Sequence, residues 1–305
     1  MARSYDITDF AAFLRKYGDS AHERAPRIDA RSQDGHRIWQ DREGQKDEGQ
    51  SRNGDDRSRT IFRGRNREYS LRESEVQTLT DVGKFRIVPE DDLARLGYHG
   101  DRSRMETDLR NLTRHGLIQQ RSVEGHSSYE MKVLTLTKEG HRLLDRERLV
   151  SDRQAVYHGF VKLKEARHDA DLYRLYHKVA REIAQVGGKV RRVVLDYELK
   201  QELYRKMAQV DPNKKLTYER IRVANEFDLK VVNDKIPIPD LRIEYEDDCR
   251  DVRRLDLEIA TRDYRPQGLG EKAKAGFHMF ARQQDHAKLR RVLDTQEISA
   301  RIFAL

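Results

Sequence analysis

Two acidic residues stand where they could do chemistry together. Pro239-Asp240 opens one apolar run, and Glu258 lies in a second, where Leu255, Leu257 and Ile259 alternate with Asp256, Glu258 and Ala260. A period of two gives a strand one apolar and one acidic face. Strands are expected over Ile236 to Tyr245 and Leu255 to Thr261, joined by a charged turn through Asp247 to Asp251, so that Asp240 can meet Glu258 across the hairpin. Two carboxylates at the ends of adjacent strands make an oxygen-rich site for Mg2+ or Mn2+. Such a metal stabilises charge on a phosphodiester and activates water for hydrolysis. The plainer alternative is structural: Asp240 starts a strand, and Glu258 pairs with Arg254 or Arg262 on a solvated edge.

A second set of residues points to nucleic acid. Helices are expected over Glu75 to Val82, from Pro89, and from Asp101 or Ser103 to a glycine stop at Gly116. Strand-like runs follow over Leu117 to Val123 and Tyr129 to Leu136, and Lys138 opens a further helix. In the third helix Met105, Leu109 and Leu112 recur at core spacing, which turns Ser103, Arg104, Thr107, Arg110, Asn111 and Arg114 outward. Arg and Asn read guanine and adenine edges, and Ser, Thr and Arg also grip phosphates. An ordinary solvated helix face would carry the same residues.

Helices followed by a two-stranded hairpin are the order of a winged helix-turn-helix. The tract resembles that family through Met105 to Ile118 (MxxDLRNLTRHGLI) and Leu134 to Leu144 (LTLTKEGHRLL). The resemblance implies a third helix in the major groove of double-stranded DNA and a wing, carrying Arg121 and His126, on the backbone or minor groove. It also allows a protein-contact module.

The C-terminal tract reads as α/β. A helical stripe runs through Leu172, Leu175, Tyr176, Val179, Ile183 and Val186, and a strand spans Val190 to Leu195. Two polar helices follow, then the two acidic strands, and then a helix over Glu271 to Gln284 bearing Ala273, Phe277 and Phe280. Pro-Asp at 239–240 and Leu-Glu-Ile-Ala at 257–260 resemble the PD-(D/E)XK nuclease superfamily. That resemblance implies a restriction-endonuclease-like fold, with Asp240 and Glu258 as metal ligands and catalytic residues. The lysine of the pattern is Ala260 here, and Lys272 or Lys274 on the next helix is the expected substitute. Glu182 is a candidate further metal ligand, or else pairs with Lys178 or Arg181. The order of parts, with Arg167-His168-Asp169-Ala170-Asp171-Leu172 opening the C-terminal helix, resembles the replication-relaxation family of plasmids and mobile elements. It implies DNA replication, mobilisation or transfer.

The rest of the chain bounds these readings. Its 305 residues are 36% hydrophobic and 37% charged, with a net charge of +8. That is apolar-poor against the usual ~45–50%, so ordered domains plus a polar segment are expected. The expected organisation is a short helix over 1–18, a disordered charged linker over 19–67, a winged helix-turn-helix over 68–152 and a nuclease-like domain over 160–305. Cys249, the single cysteine, excludes an intramolecular disulfide and a cysteine zinc cluster. There is no P-loop, GxGxxG, HExxH or GxSxG motif, so nucleotide hydrolysis, dinucleotide redox chemistry and serine-elbow catalysis have no support. No apolar run approaches ~18 residues, and a cytoplasmic protein without a membrane partner is expected. Besides DNA, expected partners are a protein docked through the N-terminal helix and, as an open alternative, a second copy of the chain. Two functions remain at this point: metal-dependent DNA cleavage, or a non-catalytic regulator or relaxosome accessory factor on a degenerate nuclease fold.

Overall fold

The computed structural model describes residues 58–64, 67–124, 130–160, 162–211 and 215–305. The helix expected over 1–18 and most of the 19–67 linker lie outside them. The described residues form a mixed α and β structure in two compact units, one reaching to Tyr173 and the other running from Arg174 to Leu305. None of their helices is long and apolar enough to cross a membrane.

In the first unit, β1 (Thr60–Arg63) pairs antiparallel with β2 (Glu68–Leu71). This corrects the linker expected to reach residue 67: Phe62, Tyr69 and Leu71 are buried. Arg67 fastens the hairpin, donating from Nε to the Tyr69 hydroxyl and from Nη2 to the His115 carbonyl, each at 2.7 Å. A four-residue strand with one inward side chain is too short to leave a period in the sequence. α1 (Glu73–Lys84) buries Leu79 and Val82. β3 (Val88–Pro89) leads into a short helix, α2 (Glu90–Asp92), that widens into a π turn over Leu93–Gly97. α3 (Arg102–Arg114) is capped by Asp101, whose Oδ1 accepts from the Arg104 N–H at 3.0 Å. It ends at Gly116 with φ +69°.

β4 (Ile118–Glu124) and β5 (Glu130–Leu136) are antiparallel, and β3 lies on the other edge of β5. α4 (Lys138–Arg146) follows, and a Cβ at Gly140 would stand 2.2 Å from the Leu117 carbonyl oxygen, so its close approach to the backbone just ahead of β4 requires glycine. The long helix α5 (Leu163–Gln185) carries the unit boundary, which corrects the domain start expected at residue 160. Ala166 and Ala170 pack with Ile87, Val123, Met131 and Val133, and Tyr173 meets Phe85 edge-on at 5.2 Å. No glycine or proline interrupts α5 there, so composition gives no sign of the change.

The second unit takes the rest of α5, burying Leu175, Val179 and Ile183, and a five-stranded sheet ordered β10-β9-β8-β7-β6. β6 (Lys189–Leu195) and β8 (Val252–Ile259) each pair antiparallel with β7 (Leu241–Glu246) between them, and α6 (Asp196–Ala208) and α7 (Leu216–Glu226) lie between β6 and β7 in the chain. β7 begins at Leu241 instead of Ile236, after Pro237 and Pro239, which cannot donate to a ladder. α8 (Pro266–Ala275) crosses over to β9 (His278–Ala281), which is parallel to β8. α9 (Gln283–Thr295) then leads to β10 (Ile302–Ala304), parallel to β9. The single helix expected over Glu271 to Gln284 is therefore two elements. Gly276, at φ +92°, ends α8 and sends Phe280 into a buried strand. Leu269, Met279, Ala281, Leu289, Leu293 and Ile302 form a core with Ala260.

Candidate functional site

The β7–β8 ladder is a row of charge pairs. Its register sets Glu244 opposite Arg254 and Arg242 opposite Asp256. Arg242 grips Asp256 with two hydrogen bonds, Nε to Oδ1 at 2.6 Å and Nη2 to Oδ2 at 2.8 Å, and Arg254 Nε lies 3.4 Å from Glu244. Opposite charges facing across strands stabilise a sheet. One step beyond Leu241 and Leu257 the pattern breaks, because the same register brings Asp240 to Glu258. Two acids opposite each other are destabilising unless other groups offset them.

Several donors converge there. Asp240 Oδ2 accepts from the Ile259 N–H at 2.9 Å, and Glu258 Oε2 accepts from the Asp240 N–H at 3.2 Å. Lys272 Nζ donates to Glu258 Oε2 at 2.8 Å and also to the Ile238 carbonyl. The Tyr264 hydroxyl donates to Glu258 Oε1. Glu258 is fully buried. Burial pushes its carboxyl up to about 7; Asp240 adds to the rise, while Lys272 and Tyr264 oppose it. Burial, with the Glu258 charge, likewise raises the Tyr264 phenol. The cation arrives from α8 and not from position 260 for a packing reason. Ala260 is buried with Leu269, Met279 and Ala281, where an ammonium would lose its water among apolar groups.

The other expected site residues divide. Lys274 is exposed, two positions and about 200° around α8 from Lys272, and does not join the pair. Glu182 is buried on α5, with neither carboxyl oxygen hydrogen-bonded. It does not complete a three-ligand group with Asp240 and Glu258. Among the described residues such a group forms only at Asp247, Asp248 and Cys249, where Arg253 and the Asp251 N–H already hold Asp247. Glu182 sits on the buried side of its helix, and burial pushes its carboxyl up to about 7 against the pull of Lys178 and Arg181. Two site residues carry no sequence signal. Tyr264 lies in a loop without a period. Lys200 on α6 contacts Asp196, whose N–H donates to the Asp240 carbonyl at 3.1 Å.

On α3, Ser103, Arg104, Thr107, Arg110 and Arg114 are exposed as expected. Asn111 is not, which corrects its outward assignment. It is buried, donating to Glu75 Oε1 at 2.8 Å and accepting from Arg114 Nη2 at 2.6 Å. It sits on the flank of the helix that meets α1. Thr107 turns its hydroxyl back to the Ser103 carbonyl at 2.9 Å. Arg121 on β4 is exposed and lies over the Phe160 ring, 4.2 Å from its centroid. His126 lies outside the described residues.

Comparison of the chain with protein-family models, with curated proteins and with solved structures returns no match.

Proposed function

We propose that the chain is a DNA-binding protein of a plasmid or mobile element whose second unit cleaves or processes DNA by phosphodiester hydrolysis. In this reading the first unit is a winged helix-turn-helix. α3 presents Arg110 and Arg114 to duplex DNA, and β4–β5 is the wing. The second unit is a PD-(D/E)XK-like nuclease core, supported by its order of helix, three antiparallel strands, crossover helix and parallel strand.

The observation that carries the proposal is the position of Lys272. Its ammonium lies 2.8 Å from Glu258, beside Asp240, and restores from α8 the cation that Ala260 lacks. The donor set, two carboxylates at adjacent strand ends, suits a hard divalent cation such as Mg2+ or Mn2+. When bound, that ion supplies Lewis acidity and an activated water. Asp240 and Glu258 are the residues that hold it. Lys272 offsets charge at the scissile phosphate, and the Tyr264 hydroxyl fixes the orientation of the Glu258 carboxyl.

A second reading, a non-catalytic platform on the same fold, is favoured by one specific feature. Glu258 is fully buried, and both its oxygens are already occupied by Lys272, Tyr264 and the Asp240 N–H. Incubation of supercoiled plasmid with Mg2+ or Mn2+ separates the two. Nicking by wild type that Glu258→Ala and Lys272→Met abolish, with DNA affinity unchanged, supports the nuclease. Intact plasmid under wild type, with DNA binding retained, supports the platform.

A further inference from the structure

Helix α6 begins where the carboxylate pair ends. Asp196, its first residue, bonds the Asp240 carbonyl through its N–H and also receives the Lys200 ammonium. Burial lowers the pKa of that ammonium, but Asp196 and, beyond it, Asp240 outweigh burial and hold it above the ordinary value. The inner side of α6 is apolar, with Leu199 and Leu203 packed on Val194, Val223 and Ile238. Its outer side carries Tyr197, Lys200, Gln201 and Tyr204 at i, i+3, i+4 and i+7, a single exposed stripe.

Tyr197 and Tyr204 are 56% and 63% exposed. Among the described residues, every exposed large apolar or aromatic side chain except Ile61 and Val252 lies on α6 or α7. The stripe itself contains no acid. Glu198 and Glu202 are half-buried on another side of the helix, with Glu198 paired to Arg192.

We infer that this face of α6 binds single-stranded DNA, stacking unpaired bases on Tyr197 and Tyr204 and holding the phosphate between them with Lys200. Aromatic rings accept any base face, and cations between them track the backbone. A duplex conceals its base faces in the stack, so the ligand is a single strand. The two rings stand two turns apart, about 10 Å along the axis. The exposed Lys200–Asp196 pair contributes little stability by itself, which leaves the ammonium open to a phosphate. Lys200 is the one charge on the stripe, held in the free chain by Asp196 beside it, and a strand phosphate takes the place of that carboxylate. Delivery of the strand to Asp240 and Glu258 rests on the nuclease reading; binding does not.

The test is fluorescence anisotropy of the full chain with labelled oligothymidylate and, separately, labelled duplex, in metal-free buffer. Tyr197→Ala combined with Tyr204→Ala is expected to weaken oligothymidylate binding about tenfold or more and leave duplex affinity unchanged. The double Tyr→Phe variant keeps both. Arg110→Ala weakens only the duplex. The inference is overturned if wild type does not bind oligothymidylate, if the double alanine variant binds it as wild type does, or if both ligands are lost together. Preference for oligouridylate overturns the assignment to DNA. Tyrosine-dependent binding without plasmid cleavage leaves this inference standing and removes the nuclease.

Discussion

Glu258 depends on Lys272 more than on any other side chain, because among the described residues the ammonium is the only positive charge hydrogen-bonded to it. Lys272→Met leaves a buried carboxyl beside Asp240 without that charge and is expected to destabilise the second unit by about 3 kcal/mol. Lys274→Met, at an exposed position, is expected to change stability by less than about 0.5 kcal/mol. Thermal melts of the two variants measure the difference, and equal melting temperatures would remove Lys272 from the site. Glu182 gives a second residue-scale test. Its folded pKa of about 7 lies above the ordinary 4.5, so the folded chain holds a proton there that the unfolded chain releases. Stability from this group is full below pH 4.5 and declines as the pH rises through about 7. Glu182→Gln lacks that slope. Its unfolding free energy should gain on wild type between about pH 5 and about pH 8, by an amount on the order of 2 kcal/mol, read from denaturant melts at each pH. Asp240 and Glu258 were legible in the sequence because strand alternation is local. Lys272 is only one of two alternatives in the sequence, because helix phase decides between it and Lys274, and the apolar pattern does not mark the start of α8 at Pro266.

Among the elements, α3 keeps its core face where helical spacing sets it. Met105, Leu109 and Leu112 are buried, and the residues opposite them are exposed. Asn111 lies on the flank, where the deciding fact is the Glu75 carboxylate contributed by α1. Arg110→Ala should weaken duplex binding and reduce the salt slope by about one with no change in melting temperature. Asn111→Ala should do the reverse, lowering stability by about 1–3 kcal/mol as Glu75 loses a buried partner. Titrations at several salt concentrations, together with melts, distinguish the two. In the sequence β9 has the pattern of a helix because Ala273, Phe277 and Phe280 share a helical face, and Gly276 overrides that period by ending α8. β1 escaped because its pairing, and not its composition, makes it a strand.

At the scale of the whole molecule, the boundary inside α5 and the hairpin ahead of α1 shape how the chain can be divided. A chain starting at residue 58 keeps the Phe62, Tyr69 and Leu71 packing, and one starting at residue 68 loses β1. The second is expected to melt several degrees lower than the first, in line with the loss of a buried Phe side chain. Identical melts would show that β1 adds nothing. Likewise, a cut at residue 160 removes the Ala166 and Ala170 packing from the first unit, whereas the sequence, with no helix break to mark the site, suggested that position as a clean border.

The strand order β10-β9-β8-β7-β6 has a consequence for synthesis. Each strand lies beside the one that precedes it in the chain, so the sheet can be assembled in the order in which the ribosome delivers it. No strand has to be threaded between two that are already paired. The β6–β7–β8 meander, which sets Asp240 against Glu258, is complete before α8 brings Lys272. Until then the nascent chain carries two facing acids without their cation, and β8 as an open edge available to other chains. A chain truncated after Ile259 keeps β8 as an open edge and is expected to scatter more light on standing than the full chain, where β9 covers that edge.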